Sequence, residues 1–452
     1  MQFELTREFL DDLKDIIENR DEVNAFKIIK DLHPADLAEI YENLNPDEAK
    51  FLYLLVDKDR AADMLLELEE DDREKILYAL PGEVIAKQII DKMDSDDAAD
   101  VISELSEEKQ SEILQNIYDV EHAGDIVDLL GYDENTAGGL MGKEVITVNE
   151  NWELTVAIRE MRKQAEEVDE LYYVYVVDDG NILKGTLSLK RMLLSKTNAK
   201  KKNILNADVI SVKTDASSEE VAKVMEKYDL VSLPVIDQIG RLLGRITIDD
   251  VVDVIREEAE KDYQMISGIS EDVEPTDNVW MLTRARIPWL LVGLGGGIMG
   301  ALVMSNFEYE ISLNTQLAFF VPLVAAMGGN AGVQSSAIIV QAIANQSIGF
   351  ERTSRKLFKE LSVALINGIV LSSLILVYSY FYTSSLPLTL TVSISLLIVI
   401  ICASIFGTFI PLVLNRFKVD PALATGPFIT TFNDIMGLII YFLIGRLMFT
   451  LF

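Results

Sequence analysis

The chain carries one carboxylate where carboxylates are seldom placed. The stretch Val419-Asp-Pro-Ala-Leu-Ala-Thr-Gly-Pro-Phe-Ile-Thr-Thr-Phe-Asn-Asp434 runs on as an apolar segment to Phe449, long enough to cross a bilayer, with Asp434 well inside it. An ionisable group at that depth costs about 2.5–3.5 kcal/mol on insertion, so it faces a polar pathway or a partner. At helical spacing Pro427, Thr430, Asp434, Gly437 or Leu438, and Tyr441 share one face. Pro421, Gly426 and Pro427 weaken the helix just before that face, which can turn backbone carbonyls toward a cavity. These are oxygen donors in apolar surroundings, the chemistry of a cation pathway. The plainer alternative is a buried carboxylate paired with a neighbouring helix.

A second polar string, Ala326-Met-Gly-Gly-Asn-Ala-Gly-Val-Gln-Ser-Ser336, lies in another apolar segment. Gly328, Gly329 and Gly332 around Asn330, with Gln334 and Ser335 adjacent, are excessive for a lipid-facing helix. Small residues allow helices to approach closely, and the amides can hold water or the shell of an ion; tight packing alone is the other reading. Gly295-Gly-Gly-Ile-Met-Gly300 formally matches a dinucleotide fingerprint, but no strand precedes it, and close helix packing explains it better.

The elements that must hold these residues are five apolar segments, at roughly 287–304, 317–344, 361–382, 388–414 and 422–449. All but the first clearly exceed the ~20 residues needed to cross a membrane. Arg284 and Arg286 precede the first, Arg352, Arg355, Lys356 and Lys359 follow the second, and Arg416 and Lys418 follow the fourth. The loops after the first and third carry no Lys or Arg, which predicts the N-terminus inside and the C-terminus outside. Asn345-Gln-Ser, a glycosylation sequon by pattern, falls on the predicted inner side.

Charge divides the 452-residue chain sharply. Of its 73 acids and 40 basic residues, only six acids and seven bases lie from Pro288 onward, so the formal net charge of −33 belongs to the part before it. Such a half repels nucleic acid and attracts cations, divalent ions most strongly. A single cysteine, Cys402, leaves no disulfide framework or thiolate metal site, and His33 and His122 are too separated in sequence to suggest zinc. The N-terminal residues lack the basic and apolar regions of a signal peptide, so the acidic half is expected in the cytosol.

Residues 1–130 read as short amphipathic helices stacked in a superhelix, with buried faces such as Leu37, Ile40, Tyr41 and Leu44, or Val101, Ile102 and Leu105. Residues 136–256 alternate strands and helices: Val145-Ile-Thr-Val is echoed by Val209-Ile-Ser-Val, and each copy continues through a helix, a strand, a turn and a second strand. This resembles a tandem pair of cystathionine-β-synthase (CBS) motifs. Such pairs often hold ATP or another adenosine nucleotide through a Thr or Ser and an Asp near the last strand. The second copy keeps Thr247 and Asp250, whereas the first has Ser188 but Arg191, so one nucleotide site is retained at most; a purely structural or dimerising pair is the other reading. Residues 257–286 connect to the membrane half (287–452), and Trp280 with Arg284 and Arg286 suggests a helix lying at the inner interface.

Gly-Gly-Asn-Ala-Gly-Val-Gln-Ser at 328–335, Val-Asp-Pro-Ala-Leu at 419–423 and Thr-Thr-Phe-Asn-Asp at 430–434, in a chain ordered as acidic helical domain, CBS pair, connecting helix and five spans, resemble the MgtE family of magnesium channels. The resemblance implies a multi-pass homodimer in the cell (inner) membrane, its pore between two copies of the last span. Asp434 would then hold hydrated Mg²⁺, helped by groups near Gly426 and Thr430, and the acidic domain with the CBS pair would close the pore when intracellular Mg²⁺ is plentiful. Candidate regulatory ligands are Asp91, Asp94, Asp96, Asp97, Asp215, Asp249, Asp250, Asp253, Glu257, Glu258 and Asp262, with Asp420 at the pore mouth. Mg²⁺ suits such sites because it prefers oxygen ligands and sheds water reluctantly. Two rival readings remain: a secondary transporter exchanging Mg²⁺ for H⁺ or Na⁺, and a non-conducting membrane sensor of nucleotide or Mg²⁺. An enzyme is not expected, since no nucleophile–base constellation appears in the soluble half.

Overall fold

The structure is a computed structural model that describes residues 3–68, 70–166, 168, 171–194, 205–270, 273, 277–344, 353–383, 385–424 and 426–452. Pro275, the sequon at Asn345, Arg352 and the side chain of Arg191 lie outside the described residues. The chain divides into two compact units, Met1–Arg256 and Glu257–Phe452.

The first unit begins with short helices: α1 Arg7–Glu18, α2 Glu22–Ile29, α3 Pro34–Tyr41, α4 Pro46–Tyr53, α5 Lys58–Leu66, α6 Glu70–Tyr78, α7 Gly82–Gln88, α8 Ser95–Ser103, α9 Glu107–Leu114 and α10 Val120–Leu129. Their starts follow from local chemistry. Asn45 Oδ1 accepts from the Glu48 amide at 3.0 Å while the Glu48 carboxylate accepts from the Asn45 amide at 2.9 Å, a capping box that begins α4. His33 and Asp36 form the same arrangement at α3, and His122 Nε2 lies 3.1 Å from the Ile90 carbonyl. Both histidines therefore serve local structure.

The apolar faces of these helices, Leu37, Ile40, Met64, Leu65, Val101 and Ile102 among them, join one core. That core continues into Val221, Met225, Leu233, Val235 and Ile246 of the second β-unit. The helical layer and the second CBS copy thus share an interior.

The first copy comprises β1 Thr147–Asn149, α11 Leu154–Gln164, β2 Val174–Val177, β3 Leu183–Leu187, α12 Leu189–Leu194 and β4 Leu205–Asn206. The second comprises β5 Val212–Lys213, α13 Ser218–Tyr228, β6 Ser232–Ile236 and β7 Leu242–Thr247, and runs into α14 Ile248–Ser267. The sheets have orders β1-β2-β3-β4 and β5-β6-β7; β1–β2 and β5–β6 pair parallel, β2–β3 and β6–β7 antiparallel. Tyr175 Oη and Ser232 Oγ, 3.0 Å apart and buried, tie the copies together.

Among the described residues, the second unit contains five helices long and apolar enough to cross a membrane: α15 Val279–Asn306, α17 Leu317–Ala344, α18 Thr353–Tyr382, α19 Leu386–Arg416 and α20 Pro427–Leu451. A short α16, Glu308–Leu313, follows the first. The shortest, with 25 residues, spans about 37 Å at ~1.5 Å per residue, above the ~30 Å of a hydrocarbon core. The segment with Trp280, Arg284 and Arg286 is not a separate surface helix. Asn278 Oδ1 caps Met281 at 3.0 Å, and α15 then continues without a break through Pro288. Helix α19 packs on α17, α18 and α20, and α20 also packs on α15 and α17. In the Gly295–Gly300 string, Gly296 meets Thr431 and Gly300 meets Leu438 of α20, while Gly295 and Gly297 face open space. Close packing therefore explains only part of that string.

Candidate functional site

The membrane site is built where α17 crosses α20. Gly426, with φ +62°, turns the chain into α20 at Pro427. The Gly426 carbonyl accepts from both the amide (3.0 Å) and the hydroxyl (2.9 Å) of Thr430. One turn further, Asp434 is half-buried, and its Oδ1 is enclosed without a hydrogen-bond partner among the described residues. No described basic side chain pairs with it, which disfavours the reading of a carboxylate neutralised by a neighbouring helix.

Glycines bring α17 onto this face. A Cβ on Gly329 would stand 3.3 Å from Asp434 Oδ1 and 3.2 Å from Thr430 Cγ2. A Cβ on Gly328 would strike Val399, and one on Gly332 would collide with the Asn433 carboxamide. Gly329, Thr430 and Asp434 are thus brought together; Asn330 is not, and lies on the exposed face of α17. Asp420 is exposed and caps the turn Pro421–Ala424, accepting from the Ala422 amide at 2.8 Å. Sequence reasoning missed Asn433, which is fully buried with neither carboxamide atom hydrogen-bonded among the described residues. Its only sequence signal was adjacency to Asp434.

The foot of α20 meets the end of α14. A Cβ on Gly426 would fall against the Ile266 carbonyl, and one on Gly268 (φ +83°) would lie 2.6 Å from Pro427. The following loop is tied down, since Ser270 donates from its amide (3.0 Å) and its hydroxyl (2.9 Å) to the Ala285 carbonyl. Gly426→Ala meets both a left-handed φ and this carbonyl, a strain of about 1–3 kcal/mol. The variant is expected to fold but to separate α14 from α20. Amide exchange measured around residues 264–270 and 426–430 should rise, and unchanged protection would refute the contact.

A second site lies in the first unit. Asp94, Asp96 and Glu144 each offer a carboxylate oxygen, all within 4.8 Å of one another. Glu144 is held by the amide and hydroxyl of Ser95, both at 3.0 Å, and the Ser95 hydroxyl accepts in turn from the Lys143 amide at 2.9 Å. Asp96 Oδ1 is buried and has no hydrogen-bond partner among the described residues. Burial, followed by the charges of Asp250, Asp97, Glu144 and Asp94, pushes the Asp96 carboxyl well above its usual range. Asp97 is pushed up to about 7, by burial and then by Asp250 and Asp94. Asp250 is pushed up to about 6 by burial, against the lowering effect of its hydrogen bond from Thr247. Asp249 and Asp253 are exposed beside it, and their charges act on Asp97 and Asp250 respectively. Three oxygen donors of this kind fit a hard divalent cation and suit soft metals poorly.

Other sequence candidates are not members of this group of three. Asp215 is exposed in the turn after β5, and Asp91 accepts from the Tyr118 amide at 3.4 Å. Glu257, Glu258 and Asp262 belong to the second unit, where Glu258 lies 3.7 Å from Lys261. Asp250 Oδ2 accepts from the Thr247 hydroxyl (2.6 Å) and amide (3.1 Å), so the two proposed nucleotide ligands are bonded to each other.

The acids predict a pH response. Their carboxyls titrate higher packed than separated, so the packed arrangement holds more protons between about pH 4 and 7. Its stability must therefore fall as pH rises through that window. In metal-free protein, protease cleavage near residues 130–140 should be faster at pH 8 than at pH 5.5, and Mg²⁺ should remove most of the difference. Equal cleavage at both pH values without metal would refute this.

Family models match along the chain: the MgtE intracellular N domain at 32–135, CBS domains at 137–195 and 202–257, and the MgtE divalent cation transporter domain at 321–444. The chain is 32% identical over 439 residues to the magnesium transporter MgtE of Thermus thermophilus, covering 96% of this chain and 97% of that one. It is 34% identical over 427 residues to the Enterococcus faecalis magnesium transporter MgtE, covering 94% of each. The cytosolic domain of a Mg²⁺ channel MgtE solved in complex with ATP superposes with a TM-score of 0.51 at 31% identity, covering 54% of this chain and 99% of that one. With an acidic helical layer, a CBS pair and five long apolar helices in that order, this chain belongs to the MgtE family of divalent cation transporters.

Proposed function

We propose that the chain is a Mg²⁺ channel, acting as a homodimer in the cell membrane, that admits magnesium and is closed by intracellular Mg²⁺. The observation that carries the reading is Asp434, half-buried on a long apolar helix, enclosed on Oδ1 without a hydrogen-bond partner among the described residues, and approached by the Gly329 backbone. In a homodimer two such carboxylates across a two-fold axis leave room for a hydrated ion, which fits the reluctance of Mg²⁺ to lose its water. Thr430 and Gly426 shape the entry to that position. The relatives' names as magnesium transporters support the choice of cation.

In this reading residues 1–130 and 136–256 form the sensor. Asp94, Asp96 and Glu144 hold one regulatory Mg²⁺, with Asp97, Asp249, Asp250 and Asp253 adding to the field that attracts it. Residues 257–286 carry the signal through the contact between α14 and α20, the N-terminal domains stay in the cytosol, and the C-terminus lies outside.

Purified protein in liposomes tests the proposal. Mg²⁺ flux should follow the Mg²⁺ electrochemical gradient alone, with single-channel currents in patches. Flux that requires a proton or Na⁺ gradient would replace the channel with an exchanger.

ATP or another adenosine nucleotide is proposed to bind the second CBS copy at Thr247. Asp250 would have to release Thr247 to reach a ribose, so affinity should be modest. Calorimetry should find no more than one site per chain, and two tight sites would overturn this.

A further inference from the structure

One buried polar side chain of the second unit has no part in the transport reading: Asn433, the residue before Asp434. It is fully buried, and neither carboxamide atom has a hydrogen-bond partner among the described residues. An amide buried unpaired costs free energy that an apolar side chain of the same size would not. Fit rather than hydrogen bonding therefore holds it in place. A Cβ on Gly332 of α17 would collide with Asn433 Nδ2 and lie 2.9 Å from Ile429 Cγ2, so the amide fills the space a side chain at 332 would need. Helix α19 reaches the same glycine, since a Cβ on Gly407 would collide with the Gly332 carbonyl oxygen. The two helices meet in rows. Gly332 faces Ile429 and Asn433, one four-residue row of α20, and Gly329 faces Thr430 and Asp434, the next. Successive residues stand ~100° apart around a helix. Helix α20 cannot turn Asp434 away from Gly329 without lifting the amide out of the notch at Gly332.

We propose that Asn433 is a positioning residue, whose carboxamide, seated against Gly332, holds α20 at the rotation that presents the Asp434 carboxylate to the ion. The inference rests on the reading of Asp434 as the pore carboxylate. Asn433 itself touches no ion, because its side chain is closed off from solvent; it acts through its neighbour. A side chain that merely filled space would act differently. Its loss would lower the melting temperature and yield less flux at an unchanged half-saturating Mg²⁺ concentration.

The test measures initial Mg²⁺ flux of the full chain in liposomes against Mg²⁺ concentration, with thermal melting of the same protein in detergent. Asn433→Ala leaves a cavity but also removes an unpaired amide, so its effects on stability oppose and melting should change little. Half-saturating Mg²⁺ should nevertheless rise about tenfold, since a displacement of ~1 Å at a reacting group can cost more than that. Gly332→Ala drives a methyl into the amide and should reduce flux about tenfold or more. In Gly332→Ala/Asn433→Ala the methyl takes the vacated space, and half-saturation should return to within about threefold of the parent. Parent half-saturation in Asn433→Ala, or a double variant no better than its two losses multiplied, would overturn the proposal. So would a loss of flux in Asn433→Ala at unchanged half-saturation. Asp434→Asn, run alongside, separates this inference from the reading beneath it. Parent-level flux there removes both, whereas lost flux there with parent behaviour in Asn433→Ala removes the positioning role alone.

Discussion

Asp434→Asn is expected to leave the protein folded and inserted while removing most of its Mg²⁺ flux, by at least about tenfold in liposomes under a fixed gradient. The change is nearly isosteric, and Oδ1 makes no hydrogen bond among the described residues that the amide would have to replace. The loss therefore falls on charge. A divalent ion entering apolar surroundings needs compensating negative charge, and a decrease of ~1.4 kcal/mol in its stabilisation lowers occupancy tenfold. Gly329→Ala perturbs the same place differently, because its methyl would approach Oδ1 and Thr430 while leaving the charge in position. It should reduce flux less than Asp434→Asn does. Parent-level flux from Asp434→Asn, with normal insertion, would remove this residue from the pathway.

The periodic parts of the fold were legible because burial repeats with the period of the element. Leu37, Ile40 and Tyr41, or Val101 and Ile102, are buried where three-and-four spacing puts them, and Val174–Val177 and Ser232–Ile236 pair as the strands of two similar units. Long-range partnerships were not legible in this way. Glu144 meets Ser95 forty-nine positions away, and nothing local distinguishes it from other surface acids. Asn330 and Gly329 are adjacent in sequence, yet a rotation of ~100° per residue places one on an exposed face and the other against Asp434. Nor does the run of prolines and glycine around Gly426 reveal that its carbonyl accepts from both the amide and the hydroxyl of Thr430. The first long helix begins at Val279 rather than near 287 because hydropathy marks the apolar core of a span and not the polar turns before it.

The acidic unit should act as the brake, and two variants separate its parts. Deleting residues 1–130 removes Asp94, Asp96 and Asp97 and should leave a conducting protein whose flux hardly falls as internal Mg²⁺ rises. This deletion also uncovers Val221, Leu233 and Ile246, whose core continues into the deleted helices, so damage to the CBS pair alone could produce the same result. The second variant avoids that cost: Asp94→Asn, Asp96→Asn, Asp97→Asn and Glu144→Gln keep the helical layer and its apolar contacts. These carboxylates crowd Asp250 closely enough that their mutual charges, with burial, raise Asp96 and Asp97. A ligand shifts a two-state gate only through its differential affinity for the two states, and here that difference arises from charges that repel when bare and are bridged when Mg²⁺ is bound. Neutral amides abolish the repulsion and the bridge together. The gate should then settle at one level of activity, with the steep dependence on internal Mg²⁺ lost and any residual midpoint moved by about tenfold or more. Flux in inside-out patches, titrated with Mg²⁺ on the cytosolic face, reads both quantities. An unchanged midpoint and steepness in the quadruple variant would place the sensor elsewhere in the chain.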